Sequence, residues 1–122
     1  MNKGFFAFAS ATRARGCKLA VVSNDSSRWS AYLREKFALN PCFDVVSISG
    51  DLKISKPDPR IFQLTLDKLG CAAADCAYVD DRTGNLAAAQ KLGMEPVLFN
   101  SRSSQFDGKT VQTFEELSAL LL

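Results

Sequence analysis

The residues of this chain best suited to chemistry lie in three short stretches: Ser23-Asn24-Asp25, Lys56, and Asp80-Asp81. A hydroxyl beside an amide, a compact cation and a pair of adjacent carboxylates form a donor set for a phosphate and a hard divalent cation. Mg²⁺ takes few protein oxygens and keeps waters and substrate phosphate in its shell, so two neighbouring carboxylates suit it. Ser23 and the backbone amides that open a following helix can donate to phosphate oxygens, and Lys56 adds a point positive charge. Each group alone has a plainer role. Ser23-Asn24-Asp25 reads equally as a turn and helix cap, Lys56 as a solvated loop lysine, and Asp81 as a cap for the segment that follows.

The elements that must position these groups are legible from hydrophobic runs. Leu19–Val22, Val45–Ile48, Ala77–Val79 and Val97–Phe99 are nearly continuous apolar stretches without polar alternation, as expected of strands covered on both faces in a parallel sheet. A helical pattern follows each. After the first, Asp25 or Ser26 caps a helix whose Trp29, Tyr32, Leu33 and Phe37 share a stripe, ending before Asn40-Pro41. After the second, Asp58 caps, Pro59 takes the first helical position, Ile61, Phe62, Leu66 and Leu69 form the buried face, and Gly70 closes the helix. Thr83 is the expected cap of a third helix running to Leu92 and ended by Gly93, and Thr113 with Glu116 forms a capping box before Leu117, Leu120 and Leu121.

Repeated βα units with short connections predict a three-layer, Rossmann-like α/β fold with a mostly parallel sheet, as one domain over residues 1–122. Residues 1–16 stand apart. The segment Gly4–Arg15 is expected to be helical with Gly16 just past its end, because a crossover to a neighbouring parallel strand needs about a dozen residues and too few remain before Leu19. In open parallel sheets ligands bind beyond the carboxyl ends of the strands. Ser23-Asn24, Lys56 and Asp80-Asp81 all fall at such ends, on one rim.

Composition removes several classes of function. The 122 residues hold no histidine, which excludes Ser-His and Cys-His nucleophile systems, His-ligated metals and imidazole bases. Fifteen basic against 13 acidic residues, spread along the chain, give no basic face for nucleic acid. No apolar run approaches the roughly 18 residues of a membrane span. Cys17, Cys42, Cys71 and Cys76 make no CxxC pair and are read as reduced thiols of a cytoplasmic-type compartment. The acid-free, basic first 18 residues give an organellar address as the weaker alternative. Cys76 to Arg82 has the C-x5-R spacing of cysteine phosphatases, but the intervening AYVDD places carboxylates where a phosphate cradle needs free amides.

The stretches LAVVSND (19 to 25), FDVVSIS (43 to 49), KISKPDPRIF (53 to 62) and YVDDRTGNLAAAQKLGMEPVLF (78 to 99) resemble the second, third and fourth motifs of the haloacid dehalogenase superfamily, in its phosphatase-containing branch. The resemblance runs from about Thr12 to the C-terminus. It implies that Ser23 is the phosphate-binding hydroxyl with Asn24 beside it. It implies that Lys56 steadies the nucleophile and the transferring phosphoryl group, and that Asp80 and Asp81 hold Mg²⁺. Asn85 stands where some members carry a further acid. The implied activity is a Mg²⁺-dependent hydrolysis of a small phosphorylated metabolite.

The sequence departs from that pattern in one respect that governs activity. The family's first strand ends in an Asp-x-Asp motif that supplies the covalent nucleophile and the general acid/base, and no Asp-x-Asp occurs here. The cap domain that selects substrate in the family is missing too. In the family the first strand lies between the serine strand and the Asp-Asp strand, so its absence leaves two unpaired edges in mid-sheet. The expectation is a fragment or mis-started form of a longer hydrolase, inactive alone. The alternatives are a degenerate member that binds phosphate or Mg²⁺ without catalysis, or a homo-oligomer in which a swapped strand fills the gap.

Overall fold

A computed structural model describes residues 4–37, 39–99, 106 and 108–122. The opening segment is a helix, α1 (Phe5–Ala14), followed by β1 (Ala20–Ser23), α2 (Ser27–Lys36), β2 (Val45–Ile48), a short α3 (Ser49–Leu52) and α4 (Pro59–Leu69). Then come β3 (Ala77–Asp80), α5 (Thr83–Lys91), β4 (Glu95–Phe99), β5 (Lys109–Val111) and α6 (Phe114–Leu121). All the ladders are parallel, β1 with β2 and β3 with β4 and β5. Among the described residues they form two sheets, β1-β2 and β3-β4-β5.

Two apolar clusters flank the strands. Phe8 of α1 and Leu117 of α6 pack with Val97, Phe99 and Val111, with Leu19 and Val79 against them. Ile61, Phe62 and Leu66 of α4 pack with Ala89 and Met94, joined by Val22 and Tyr78. Val79 and Tyr78 thus point to opposite faces of β3, as adjacent strand residues must. Helices cover both faces, which is why the strand sequences lack polar alternation.

The structure revises several sequence expectations. The first strand is displaced by one residue from Leu19–Val22, because the Leu19 N–H is taken by a side chain in place of a ladder carbonyl: it donates to Asp44 Oδ2 at 2.7 Å, while the Leu19 carbonyl accepts from the Asp44 N–H at 2.7 Å. The aromatic stripe of α2 is not buried. Trp29 and Tyr32 are 53% and 51% exposed and stack on each other at 5.6 Å, while Ser30 is the residue α2 buries. Leu69 is half-buried, whereas Ile61, Phe62 and Leu66 form the core face of α4 as read. Thr83 is the first residue of α5 rather than its cap; Arg82 takes the cap position, and its N–H donates to Asp80 Oδ1 at 3.0 Å. Thr113 Oγ1 accepts from the Glu116 N–H at 3.0 Å, but the return arm of the capping box reaches Gln112 N–H at 3.1 Å instead of Thr113. The short α3 and β5 have no counterpart among the apolar runs and caps of the sequence.

Two caps behave as read. Asp58 accepts from the Arg60 N–H at 2.9 Å with Pro59 at the first helical position, and Gly70 closes α4 at φ 70°, a left-handed turn that a Cβ would strain.

Candidate phosphate and cation site

Three loops meet at the carboxyl ends of β1, β2 and β3. The first follows β1 and is fixed from below by α3. Gly50 N–H donates to the Asp25 carbonyl at 2.9 Å, and Ser49 Oγ donates to the same oxygen at 3.1 Å. The approach is so close that a Cβ on Gly50 would lie 2.5 Å from the Ser27 nitrogen and 2.8 Å from the Asp25 carbonyl oxygen. Glycine at position 50 is therefore what allows α3 to seat against the loop. Ser26 Oγ accepts from the Trp29 N–H at 3.2 Å, so it, and not Asp25, caps α2.

The second loop brings in Lys56, and Asn24 holds it. Asn24 Oδ1 accepts from the Lys56 N–H at 2.8 Å, and Asn24 Nδ2 donates to the Lys56 carbonyl at 3.1 Å. This two-point clamp on one residue's backbone, next to the cis Lys56-Pro57 bond, fixes where the lysine side chain starts.

From there Lys56 Nζ reaches Asp80 Oδ2 at 3.0 Å, with the two side chains only 12% and 7% exposed. Asp80 Oδ2 also accepts from the Tyr78 hydroxyl at 2.5 Å and from Asn85 Nδ2 at 3.1 Å. Tyr78 is anchored by an edge-on contact with Phe62, ring centroids 4.9 Å apart, and Lys56 Nζ lies 6.0 Å over its ring. Burial pushes the Asp80 carboxyl up, but hydrogen bonds from Tyr78 and Lys56 and the charge of Lys56 outweigh it and hold the group down at about 2. Burial, reinforced by donation to Asp80, pushes the Tyr78 phenol far above its usual range. The centre is thus an anion saturated with donors. Satisfied in this way, a buried ion pair avoids the cost of a lone buried charge.

Of the sequence-predicted residues, Asn24, Lys56 and Asp80 are linked by hydrogen bonds, whereas Ser23 bonds within its own loop and lies outside the cavity lining, so their duties are more divided than their types suggest. Lys56, Asp80 and Asp81 border one cavity of about 1010 Å³. Asp80 Oδ2 is committed to three donors, whereas Asp81 is exposed. Ser23 Oγ donates to Asp25 Oδ2 at 2.6 Å, so its hydroxyl is engaged within its own loop. Asn24 serves the Lys56 backbone. Asn85 is drawn in by Asp80. Tyr78, Phe62 and Gly50 carry no chemical signature in the sequence; the i, i+2 spacing of Tyr78 and Asp80 on one strand face is the one signal that pairs them. Cys76 lies just before β3, at the far end of that strand from Lys56, and burial beside Cys71 pushes its thiol up, which removes the cysteine-phosphatase reading.

The donor set fits Mg²⁺ by chemistry: two adjacent carboxylates with hard oxygens, one of them exposed, are as many protein ligands as that ion commonly uses. Among the described residues no group of three or more His, Cys, Asp or Glu side chains gathers, so a cage made wholly of protein ligands is not present there. No helix among them is long and apolar enough to cross a membrane.

Comparison with known proteins gives the same direction. Residues 3–93 match the family model described as haloacid dehalogenase-like hydrolase. A phosphatase of Mycobacterium tuberculosis is 34% identical over 110 residues, covering 89% of this chain and 50% of that protein. A phosphoserine phosphatase of Thermus thermophilus is 38% identical over 78 residues, 62% of this chain and 30% of that protein. The crystal structure of a phosphatase from Thermococcus onnurineus superimposes with a TM-score of 0.85 at 25% identity, covering 94% of this chain and 55% of that one. The chain spans half or less of the length of these curated relatives and 55% of that solved structure.

Proposed function

Because the chain belongs to the haloacid dehalogenase-like hydrolase family, we propose that it forms the phosphate- and Mg²⁺-binding part of a phosphatase acting on a small phosphate monoester. The observation that carries the reading is the buried Lys56–Asp80 pair at the rim, held by Asn24 on one side and by Tyr78 and Asn85 on the other. A lysine so placed presents a fixed positive charge to a phosphoryl group entering the cavity mouth, without waiting for a side chain to reorganise.

Each residue has a distinct part in this proposal. Lys56 neutralises phosphate charge, and Asp80 fixes Lys56. Asp81, with the second oxygen of Asp80 beside it, would hold Mg²⁺, which when bound supplies charge neutralisation on the phosphoryl oxygens. Ser23 donates to a phosphate oxygen on release from Asp25, and the amides opening α2 lie beside it. The first-strand Asp-x-Asp that the family uses is not among these 122 residues. Without an in-line carboxylate nucleophile these groups bind and position phosphate but do not transfer it. The free thiols Cys17, Cys42, Cys71 and Cys76 agree with a cytoplasmic setting.

The test is phosphate binding by ³¹P line broadening, in parallel with Mg²⁺-dependent release of phosphate from an aryl phosphate. The expected result is Mg²⁺-dependent phosphate binding, lost in Lys56→Met and Asp81→Asn, with no turnover. Absence of phosphate binding overturns the reading. Turnover abolished by EDTA shows that a nucleophile is supplied from within the chain, which overturns its inactivity alone.

A further inference from the structure

Cys71 and Cys76 flank one turn ahead of β3 and take no part in the phosphate site. Cys71 follows the Gly70 that closes α4, and its N–H donates to the Leu66 carbonyl at 3.3 Å. Cys76 donates its N–H to the Ala73 carbonyl at 3.0 Å, and its carbonyl accepts from the Glu95 N–H at 3.0 Å. A single 3-10 turn, Ala73–Asp75, joins them, and across it the Cys76 thiol hydrogen-bonds to the Cys71 sulfur. Both backbones are thus pinned with the side chains in contact. The intervening Ala72, Ala74 and Asp75 are exposed, so the turn can tighten without moving the core. The surroundings of the two sulfurs differ. Cys71 Sγ donates to the Leu69 carbonyl at 3.6 Å, and the same oxygen accepts from Lys18 Nζ at 2.7 Å, which stands an ammonium beside that sulfur. Burial, then the charge of Cys71, pushes the Cys76 thiol up, so Cys76 is the one that keeps its proton. Both residues are half-buried, within reach of a small oxidant.

We propose that Cys71 and Cys76 are a modification site for hydrogen peroxide, in which Cys71 is oxidised first and Cys76 resolves it to a reversible disulfide. A thiolate is the form that attacks peroxide, and a neighbouring ammonium offsets its charge, which assigns the first step to the sulfur beside Lys18. The Cys71 sulfur bonds to one peroxide oxygen, the O–O bond breaks, and the departing hydroxide takes up a proton as water. Cys71 is left as a sulfenic acid. The Cys76 sulfur then attacks the Cys71 sulfur. An S–S bond forms, the S–O bond breaks, and the Cys76 proton leaves with the hydroxide as a second water. Two thiols and one peroxide thus give one disulfide and two waters, the sulfurs losing the two electrons that reduce the peroxide. The sulfurs close from hydrogen-bond contact to about 2 Å, a movement that the exposed turn between them can absorb. In a reducing compartment the bond is transient, returned to two thiols by a dithiol reductant. The inference stands on the contact of the two side chains and is independent of the phosphate reading.

The experiment treats the full 122-residue chain with stoichiometric hydrogen peroxide, blocks the remaining thiols with N-ethylmaleimide, and digests it with trypsin for mass spectrometry. Lys68 and Arg82 place both cysteines in one tryptic peptide, 69–82, with Cys17 and Cys42 in others. The expected result is a peptide 69–82 that is lighter by two hydrogens and takes up no maleimide, while Cys17 and Cys42 are still alkylated. Dithiothreitol added before the maleimide should restore both sites. In Cys76→Ser, Cys71 should stop at a sulfenic acid that dimedone captures. In Cys71→Ser, Cys76 should oxidise about tenfold more slowly than Cys71 does in Cys76→Ser. The mass of the wild-type peptide decides the pairing whatever the stability of the variants. A peptide 69–82 that keeps both maleimide sites overturns the proposal. So does oxidation of the two residues without a bond between them, a link from either to Cys17 or Cys42, or a link between two copies of the chain. Faster oxidation of Cys76 in Cys71→Ser than of Cys71 in Cys76→Ser overturns the order of the steps.

Discussion

Replacing Asp80 by Asn isolates the electrostatics of the site in a stability measurement that needs no substrate. A carboxyl with an ordinary value of 3.8 that is held at about 2 in the fold contributes about 2 kcal/mol at neutral pH, and with its side chain 7% exposed there is little solvent to screen it. Because the folded value is the depressed one, that contribution is complete above about pH 4. It is lost as pH falls toward and through 2. Asn at this position keeps one acceptor oxygen, for either the Tyr78 hydroxyl or the Arg82 N–H but not both, while removing the titration. Urea unfolding followed by circular dichroism, for wild type and Asp80→Asn at pH 7, 5, 4, 3 and 2, should give a stability difference that is flat from pH 7 to 5 and then shrinks by about 2 kcal/mol. Other carboxylates titrate in both proteins and cancel in the difference. At pH 7 the full loss is larger, about 3–5 kcal/mol, since Lys56 is left buried without its counter-charge. Adding Lys56→Met to Asp80→Asn should then recover part of the loss. Two curves that stay parallel from pH 5 to pH 2 would refute the argument that the pair holds Asp80 ionised.

Three further outcomes follow from other contacts in the fold. Tyr78→Phe removes one donor to Asp80 and should cost about 1 kcal/mol, while moving the acid unfolding midpoint to higher pH; an unchanged midpoint would mean that Lys56 alone holds the anion. Gly50→Ala drives a Cβ into the Asp25–Ser27 backbone and should cost about 1–3 kcal/mol in thermal unfolding, whereas Gly84→Ala, where nothing lies within 4 Å of the added carbon, should be neutral or stabilising. Thr113→Ala should lower stability by about 1 kcal/mol through loss of the α6 cap, with no change in phosphate binding.

Most of the architecture was legible because its signals are local. Strands covered on both faces are written as apolar runs, and Asp58-Pro59 and Gly70 mark the ends of α4 in residue types that few other conformations need. The misreadings share a cause, which is that local pattern does not say what an element packs against. Trp29, Tyr32 and Phe37 obey helical spacing, yet α2 meets the rest of the chain through Ser30 and leaves its aromatics exposed. β5 is three residues, Lys-Thr-Val, and becomes a strand because β4 offers an edge; nothing in those three residues demands it.

Which polar residues stand at the strand ends was legible in the sequence; how they bond to one another was not, and hydrogen-bond geometry explains why. Residue type told that Asn24, Lys56, Asp80 and Asp81 carry polar groups at strand ends. It could not tell that Asn24 spends both ends of its amide on the Lys56 backbone, because that bond joins residues 32 apart. The same holds for Asp80. As a carboxylate at a strand end it reads as a metal ligand, but three donors from positions 56, 78 and 85 converge on one of its oxygens, and Asp81 is left as the carboxylate facing solvent. An adjacent acidic pair therefore divides into an inner residue that fixes a cation of the protein and an outer one open to a cation from solution. On the proposed function, that asymmetry makes Asp80→Asn above all a stability variant and Asp81→Asn above all a binding variant, a distinction the two-letter motif does not contain.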